Sequence, residues 1–148
     1  MPIPDLNEDG LLPEGIHEAS LEEVRERFGR FQRTDRRPDL FSKLSLFLAE
    51  VRASGLVEAV IVDGSFVTAK DEPSDIDLIL ILVADHDYDT DPKPFEYNVL
   101  SKRRVRRRFR FDVISAREGS DEYERSVNFF QGVKGRSGFR KGVLKVLP

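Results

Sequence analysis

Two aspartates set two residues apart, Asp75 and Asp77, stand at the head of an apolar run, DIDLILILV. Ionised carboxylates seldom lead into a segment that is apolar on both faces unless something positive meets them. Alternate side chains of a strand share a face, so the spacing predicts that these two acids point the same way. At ~6 Å, two unit negative charges repel by roughly 3 kcal/mol at an effective dielectric of 20. A divalent cation between them turns that repulsion into attraction. Carboxylate oxygens are hard ligands and suit Mg²⁺ or Mn²⁺, whose remaining positions water and substrate phosphates fill. The plainer alternative is a pair of solvated acids, with Ser74 and Asp75 serving the turn before the strand.

Three further features add to the pair. Gly64 and Ser65 follow directly on a second apolar run, LVEAVIVD. At such a strand-to-turn corner, glycine lets backbone approach a ligand, and free amides with a hydroxyl can cradle phosphate. Asp112, flanked by Phe111 and Val113, falls where a third strand is expected. A carboxylate on a neighbouring strand would complete a two-metal arrangement for in-line displacement. An ion pair between Asp112 and Arg110 is the simpler account of it. Asp63, just before the glycine, either orients a metal-bound water or caps the turn, and the turn is the favoured reading.

The segment SKRRVRRRFRFD carries the other conspicuous chemistry. Read as a strand, it sets Arg104, Arg106, Arg108 and Arg110 on one face with Asp112, and turns Val105, Phe109 and Phe111 inward. Such a row of guanidinium groups suits a triphosphate or a nucleic-acid backbone. Read blandly, it is a helix end and a solvated strand face, its arginines paired to acids elsewhere. Residues 1–100 carry a net −12 and residues 101–148 a net +9, so either use of the basic half is open. His17 and His86 have no partner spacing that supports zinc.

The elements that must position these residues follow from periodicity. SLEEVRERFG is expected to be a short helix, with Ser20 and Glu23 forming a capping box and Gly29 ending it. PDLFSKLSLFLAEVRASG gives a longer one, with Leu40, Leu44, Phe47, Leu48 and Val51 at helical spacing and Gly55 at its end. LVEAVIVDG, DIDLILILV and RRFRFDVIS read as strands, FEYNVLSKRR and DEYERSVNFFQGV as helices, GRSG as a turn and GVLKVL as a short final strand. ADHDYDTDPKP is a polar loop, and the first ~12 residues look irregular. The expected fold is α/β (α+β), a small mixed sheet with helices packed on it, in one domain spanning residues 1–148.

Composition narrows the class. The chain has 148 residues, 39% hydrophobic and 34% charged, which suits a globular domain with a proper core. There is no cysteine, which removes disulfides and thiolate metal sites. The acidic start MPIPDLNEDG lacks the layout of a signal peptide, and LILILV is too short to span a bilayer, so a cytoplasmic protein is expected.

The order strand, Gly-Ser, short excursion, DID, apolar strand, then an apolar-flanked Asp resembles the DNA polymerase beta-type nucleotidyltransferase superfamily. It is most similar to the short bacterial minimal nucleotidyltransferases, including the eleven positions from Gly64 to Asp75. LLPEGIHEASLEEV and FFQGV…KGVLKV are similar to an uncharacterised short bacterial family that shares this core. The resemblance implies that Gly64 and Ser65 hold the triphosphate of an NTP, that Asp75 and Asp77 bind two Mg²⁺ (or Mn²⁺) ions, and that Asp112 completes one metal site and serves at or near the general base. The chain departs from the minimal family at FVTAK, where a small residue, an arginine and a glycine are usual. Lys70 would then supply a replacement charge for phosphate, the alternative being a solvated turn lysine, and Arg110 of the basic row is the other candidate for the phosphates.

The expected activity is transfer of NMP from an NTP to a hydroxyl of a protein, an RNA or a small molecule. By resemblance, a place in a toxin–antitoxin or defence system follows, with a partner protein or a second copy building the other wall of the cleft. A non-catalytic module of the same fold that binds nucleotide, nucleic acid or a partner is the alternative. A metal-dependent nuclease ranks last, because Ile79 stands where its lysine would follow the second acid.

Overall fold

A computed structural model describes residues 3–86, 92–133, 135, 136 and 138–148. Its strands are β1 (Gly15–Ala19), β2 (Val57–Asp63), β3 (Asp77–Leu82), β4 (Asp112–Arg117) and β5 (Gly142–Val146). They form one sheet in the order β1-β5-β2-β3-β4. β1 runs parallel to β5 and β3 parallel to β4, while β2 is antiparallel to both β3 and β5. The helices are α1 (Leu21–Phe28), α2 (Arg36–Ser54), α3 (Pro94–Leu100), α4 (Lys102–Phe109) and α5 (Asp121–Gln131). The protein is an α+β fold on a mixed sheet, as the patterning predicts.

Strand alternation divides the core in two. On β3, Leu78, Leu80 and Leu82 turn to one face and pack with Phe47, Leu48 and Val51 of α2. Ile79 and Ile81 turn to the other and pack with Tyr123, Val127 and Phe130 of α5. The near-continuous apolar run of this strand is the signature of a strand covered on both sides. α5 is one short helix, and at the N-terminal end of β3 the place of an apolar residue on its face is taken by Asp77.

The helix termini follow their residue chemistry. Ser20 accepts the Glu23 amide while Glu23 accepts the Ser20 amide, the predicted capping box. Gly55 closes α2 in the left-handed conformation at φ 68°. Residues 3–14 contain neither helix nor strand, yet Ile3 and Leu12 are buried and the Asn7 side chain accepts the amides of Asp9 and Leu11.

Two expectations need correction. FEYNVLSKRR is not one helix: α3 and α4 meet at Ser101, whose hydroxyl accepts the Arg104 amide. RRFRFDVIS is not a strand throughout. Residues up to Phe109 are helical, Arg110 caps α4 at φ 65°, and β4 starts at Asp112. The reason is Arg107: a strand would turn it inward with Val105 and Phe109, whereas helical spacing buries those two apolar residues and leaves Arg107 outside. The ring of Phe109 then sits 5.4 Å from that of Phe47. β1 is an element that the patterning does not supply, since GIHEA gives no apolar run. Much of the loop ADHDYDTDPKP, residues 87–91, lies outside the described residues.

Candidate functional site

The carboxylates are brought together by register. Asp63 of β2 is paired with Asp77 of β3 across the antiparallel ladder, and Asp77 with Asp112 of β4 across the parallel one. Residues in register share a face, so three acids from three adjacent strands stand in a row. Asp75 precedes β3 and reaches the same place from the turn. All four line an open cleft of about 1070 Å³, with Lys70, Lys141 and the C-terminal end of α5 among its walls.

Their environments differ. Asp63 is only 4% exposed. It accepts the Lys141 ammonium at 2.9 and 3.1 Å and also the Gly64 amide. The predicted turn bond exists, but the stronger partner comes from 78 residues away. Burial nevertheless pushes the Asp63 carboxyl above its ordinary range, against the pull of Lys141.

Asp75 is the opposite case. Burial raises its pKa, but the Ser65 hydroxyl and amide both donate to one of its oxygens, the amide at 2.8 Å, and Lys70 and Lys141 lie nearby. The net effect holds this carboxyl below its ordinary value. The Ser65 oxygen in turn accepts the amides of Ser74 and Asp75 at 3.0 and 3.3 Å. Gly64 permits this knot. Its φ is 96°, and a Cβ there would lie 2.7 Å from the Asp75 carbonyl oxygen. Gly64 and Ser65 therefore sit in the cleft as expected, with the polar groups of Ser65 spent on Asp75.

Asp77 is half-buried and has no hydrogen-bond or ion-pair partner among the described residues. Burial, then the charges of Asp75, Asp63 and Asp112, push its carboxyl up to about 6, against a smaller pull from Lys141. Asp112 is exposed and pairs with Arg106 at 2.8 Å. The expected Arg110 partner is displaced because Arg110 is the cap between helix and strand.

The arginine row does not form. On α4, Arg106 turns to Asp112, Arg108 turns to Glu50 at 2.8 Å, and Arg104 lies over the Tyr97 ring at 5.3 Å. Only Arg106 of the four is held against a carboxylate of the cleft. Lys70 does line the cleft.

Two residues that pattern reading passes over organise the site. One is Lys141, described above. The other is Arg37, 1% exposed in the first turn of α2. Its guanidinium donates to the carbonyls of Phe28, Phe66, Thr68 and Lys70 at 2.6–3.1 Å and lies between the Phe28 and Phe66 rings. It binds down the FVTAK excursion from behind. Burial draws its pKa below the usual value for arginine. A lone arginine at a helix start carries no sequence signal for this role.

The donor set fits a hard divalent cation in kind: Asp77 is unpaired, and Asp75 and Asp112 each have a second oxygen beside the one already bonded. No three His, Cys, Asp or Glu side chains are already gathered as a metal cage among the described residues.

The chain belongs to the family of unknown function DUF6932, whose model matches residues 4–147. No curated protein and no solved structure matches it. No helix among the described residues is long and apolar enough to cross a membrane.

Proposed function

We propose that this protein is a metal-dependent nucleotidyltransferase that moves NMP from an NTP to a hydroxyl acceptor. The observation that carries the reading is Asp77, a half-buried carboxylate without a partner, facing three other acids at the open end of the sheet. Lys141 offsets only part of this charge, and such an arrangement is costly unless a further cation meets it. Asp75, Asp77 and Asp112 would hold Mg²⁺ or Mn²⁺, which when bound neutralises charge on the reacting phosphate and the departing pyrophosphate. The acceptor oxygen forms a bond to the α-phosphorus as the bond to the β-phosphate oxygen breaks. Asp112, the most exposed of the acids, takes the acceptor proton. Ser65 orients Asp75 through two hydrogen bonds, and Lys70 offers its ammonium to the phosphates. A cytoplasmic setting and a toxin–antitoxin or defence role belong to the same proposal.

One observation favours a second reading. The amide and hydroxyl of Ser65 are both taken by Asp75, so they are not free for phosphate in this arrangement. A module of the same fold that binds Mg²⁺–NTP without turnover would tolerate this.

The deciding experiment incubates the protein with each α-labelled NTP, Mg²⁺ or Mn²⁺, and cell extract. Transfer of label by wild type, absent in Asp75→Asn/Asp77→Asn, is the expected result. Metal-dependent NTP binding without transfer selects the second reading, and absence of both removes the two together.

A further inference from the structure

Phe129 is the most exposed large apolar residue among those described, at 77%. It is not a stray surface side chain. Phe31, Leu46, Phe95 and Leu147 are also exposed, but none of them lines the cleft that holds Asp75, Asp77 and Asp112, and Phe129 does. In the cleft its ring joins Ile114, Phe130 and Val133 on the apolar part of the lining, opposite in character to the acids and Lys70 that share the same space, a combination that suits a ligand with one apolar and one charged end.

Its surroundings suit one kind of ligand. The neighbouring Phe130 is buried against the sheet and fixes the end of α5, with the two rings 6.4 Å apart. Asn128, also lining the cleft, is exposed, and its side-chain amide has no partner among the described residues. Its backbone carbonyl accepts Arg140 at 3.2 Å, which ties this turn of α5 to the segment leading into β5. Both residues line the cleft, and an aromatic ring and a carboxamide there offer stacking and edge hydrogen bonds to a planar heterocycle. Asp75, Asp77, Asp112 and Lys70 line the same cleft.

We propose that Phe129 and Asn128 form the nucleobase subsite of the cleft, Phe129 stacking on the base and Asn128 reading its edge. This rests on the nucleotidyltransferase reading and adds the residues that would choose among nucleotides.

The test compares Mg²⁺–NTP with Mg²⁺–tripolyphosphate, which has phosphates but no base, on the full chain. Phe129→Ala is expected to weaken NTP binding roughly tenfold or more, the scale of one base–aromatic stack, and to leave tripolyphosphate unchanged. Asn128→Ala is expected to change the ranking of the four NTPs. The chain has no tryptophan, so Phe129→Trp adds a single tryptophan that can be excited apart from the tyrosines, and whose emission NTP should quench and tripolyphosphate should not. Unchanged urea midpoints for these exposed positions exclude a folding effect.

If Phe129→Ala weakens neither ligand, or both alike, the subsite is wrong while the phosphate site stands. The subsite is equally wrong if the variant alters only self-association, which would make Phe129 a contact between protein copies. If wild type binds neither ligand with metal, the nucleotidyltransferase reading fails and the subsite with it.

Discussion

Asp77 and Asp112 stand opposite each other in the parallel register of β3 and β4, and only one of them is neutralised. Arg106 holds Asp112; Asp77 has no hydrogen-bond or ion-pair partner among the described residues, and Lys141 offsets only part of its charge. The difference sets the electrostatics of the cleft, and it can be measured.

Burial and the neighbouring acids push the Asp77 carboxyl up to about 6 in the folded chain, against 3.8 ordinarily. Folding therefore favours its protonated form. The associated stability is complete below pH ~3.8 and is lost as pH rises through about 6. Asp77→Asn should match wild type in acid and exceed it at pH 7–8. With solvent screening of a half-exposed group, the gain is about 1 kcal/mol. Urea melts of both proteins across pH 4–8 check this. A variant no more stable at pH 8 would show that Asp77 carries no such strain.

On the proposed reading, the same group sets a pH limb for activity. Holding a cation requires ionised Asp77, so label transfer at subsaturating Mg²⁺ should rise between pH 5 and 7. Raising Mg²⁺ should move that rise to lower pH, because the cation competes with the proton. A rise that ignores Mg²⁺ concentration would remove Asp77 from the metal set.

Lys141 and Asp63 form the most buried ion pair of the cleft. Lys141→Met strands a buried carboxylate and should cost about 3 kcal/mol in a denaturant melt. Adding Asp63→Asn should recover most of that. Equal losses in the single and double variants would mean that the lysine's packing matters and the charge does not.

Arg37→Met leaves four carbonyls without their donor and should destabilise by about 3 kcal/mol, with faster proteolysis at residues 66–70. Arg37→Lys should recover only part, since one ammonium cannot reproduce a planar fork. Loop cleavage unchanged in Arg37→Met would separate this arginine from the excursion.

Gly64→Ala should cost more than Gly119→Ala, although both glycines have positive φ, 96° and 81°. A Cβ at residue 119 meets nothing within 4 Å, while one at residue 64 meets the Asp75 backbone. The control should lose about 1 kcal/mol and Gly64→Ala at least twice that. Similar losses would assign the whole effect at Gly64 to its dihedral angle.

Much of this fold could be read from local pattern, because local physics decides it. The Ser20–Glu23 box, the α2 stripe from Leu40 to Val51 and the doubly covered run of β3 each declare themselves within a few residues. Asp75, Asp77 and Asp112 were legible as a cluster because strand parity and adjacency place them. α4 misleads because alternate arginines look alike under a period of two or 3.6, and only the Val105–Phe109 spacing decides. β1 is hidden since an edge strand such as GIHEA needs little apolar content; its burial alternates and it takes its place from β5. Lys141 and Arg37 act on partners 78 and roughly 30 residues away, and no local pattern reports such a pairing.

The position of β5 has a consequence for synthesis. It lies between β1 and β2, so the first strand made has no neighbour in the sheet until the fifth arrives. Until then one edge of β2 is open, and Asp63 waits at its end without Lys141. A nascent chain that has already made β2, β3 and β4 thus presents an uncovered strand edge and an unpaired acid together. That is the interval in which misassociation is most dangerous, and the charge on Asp63 stands at the end of the exposed edge throughout it.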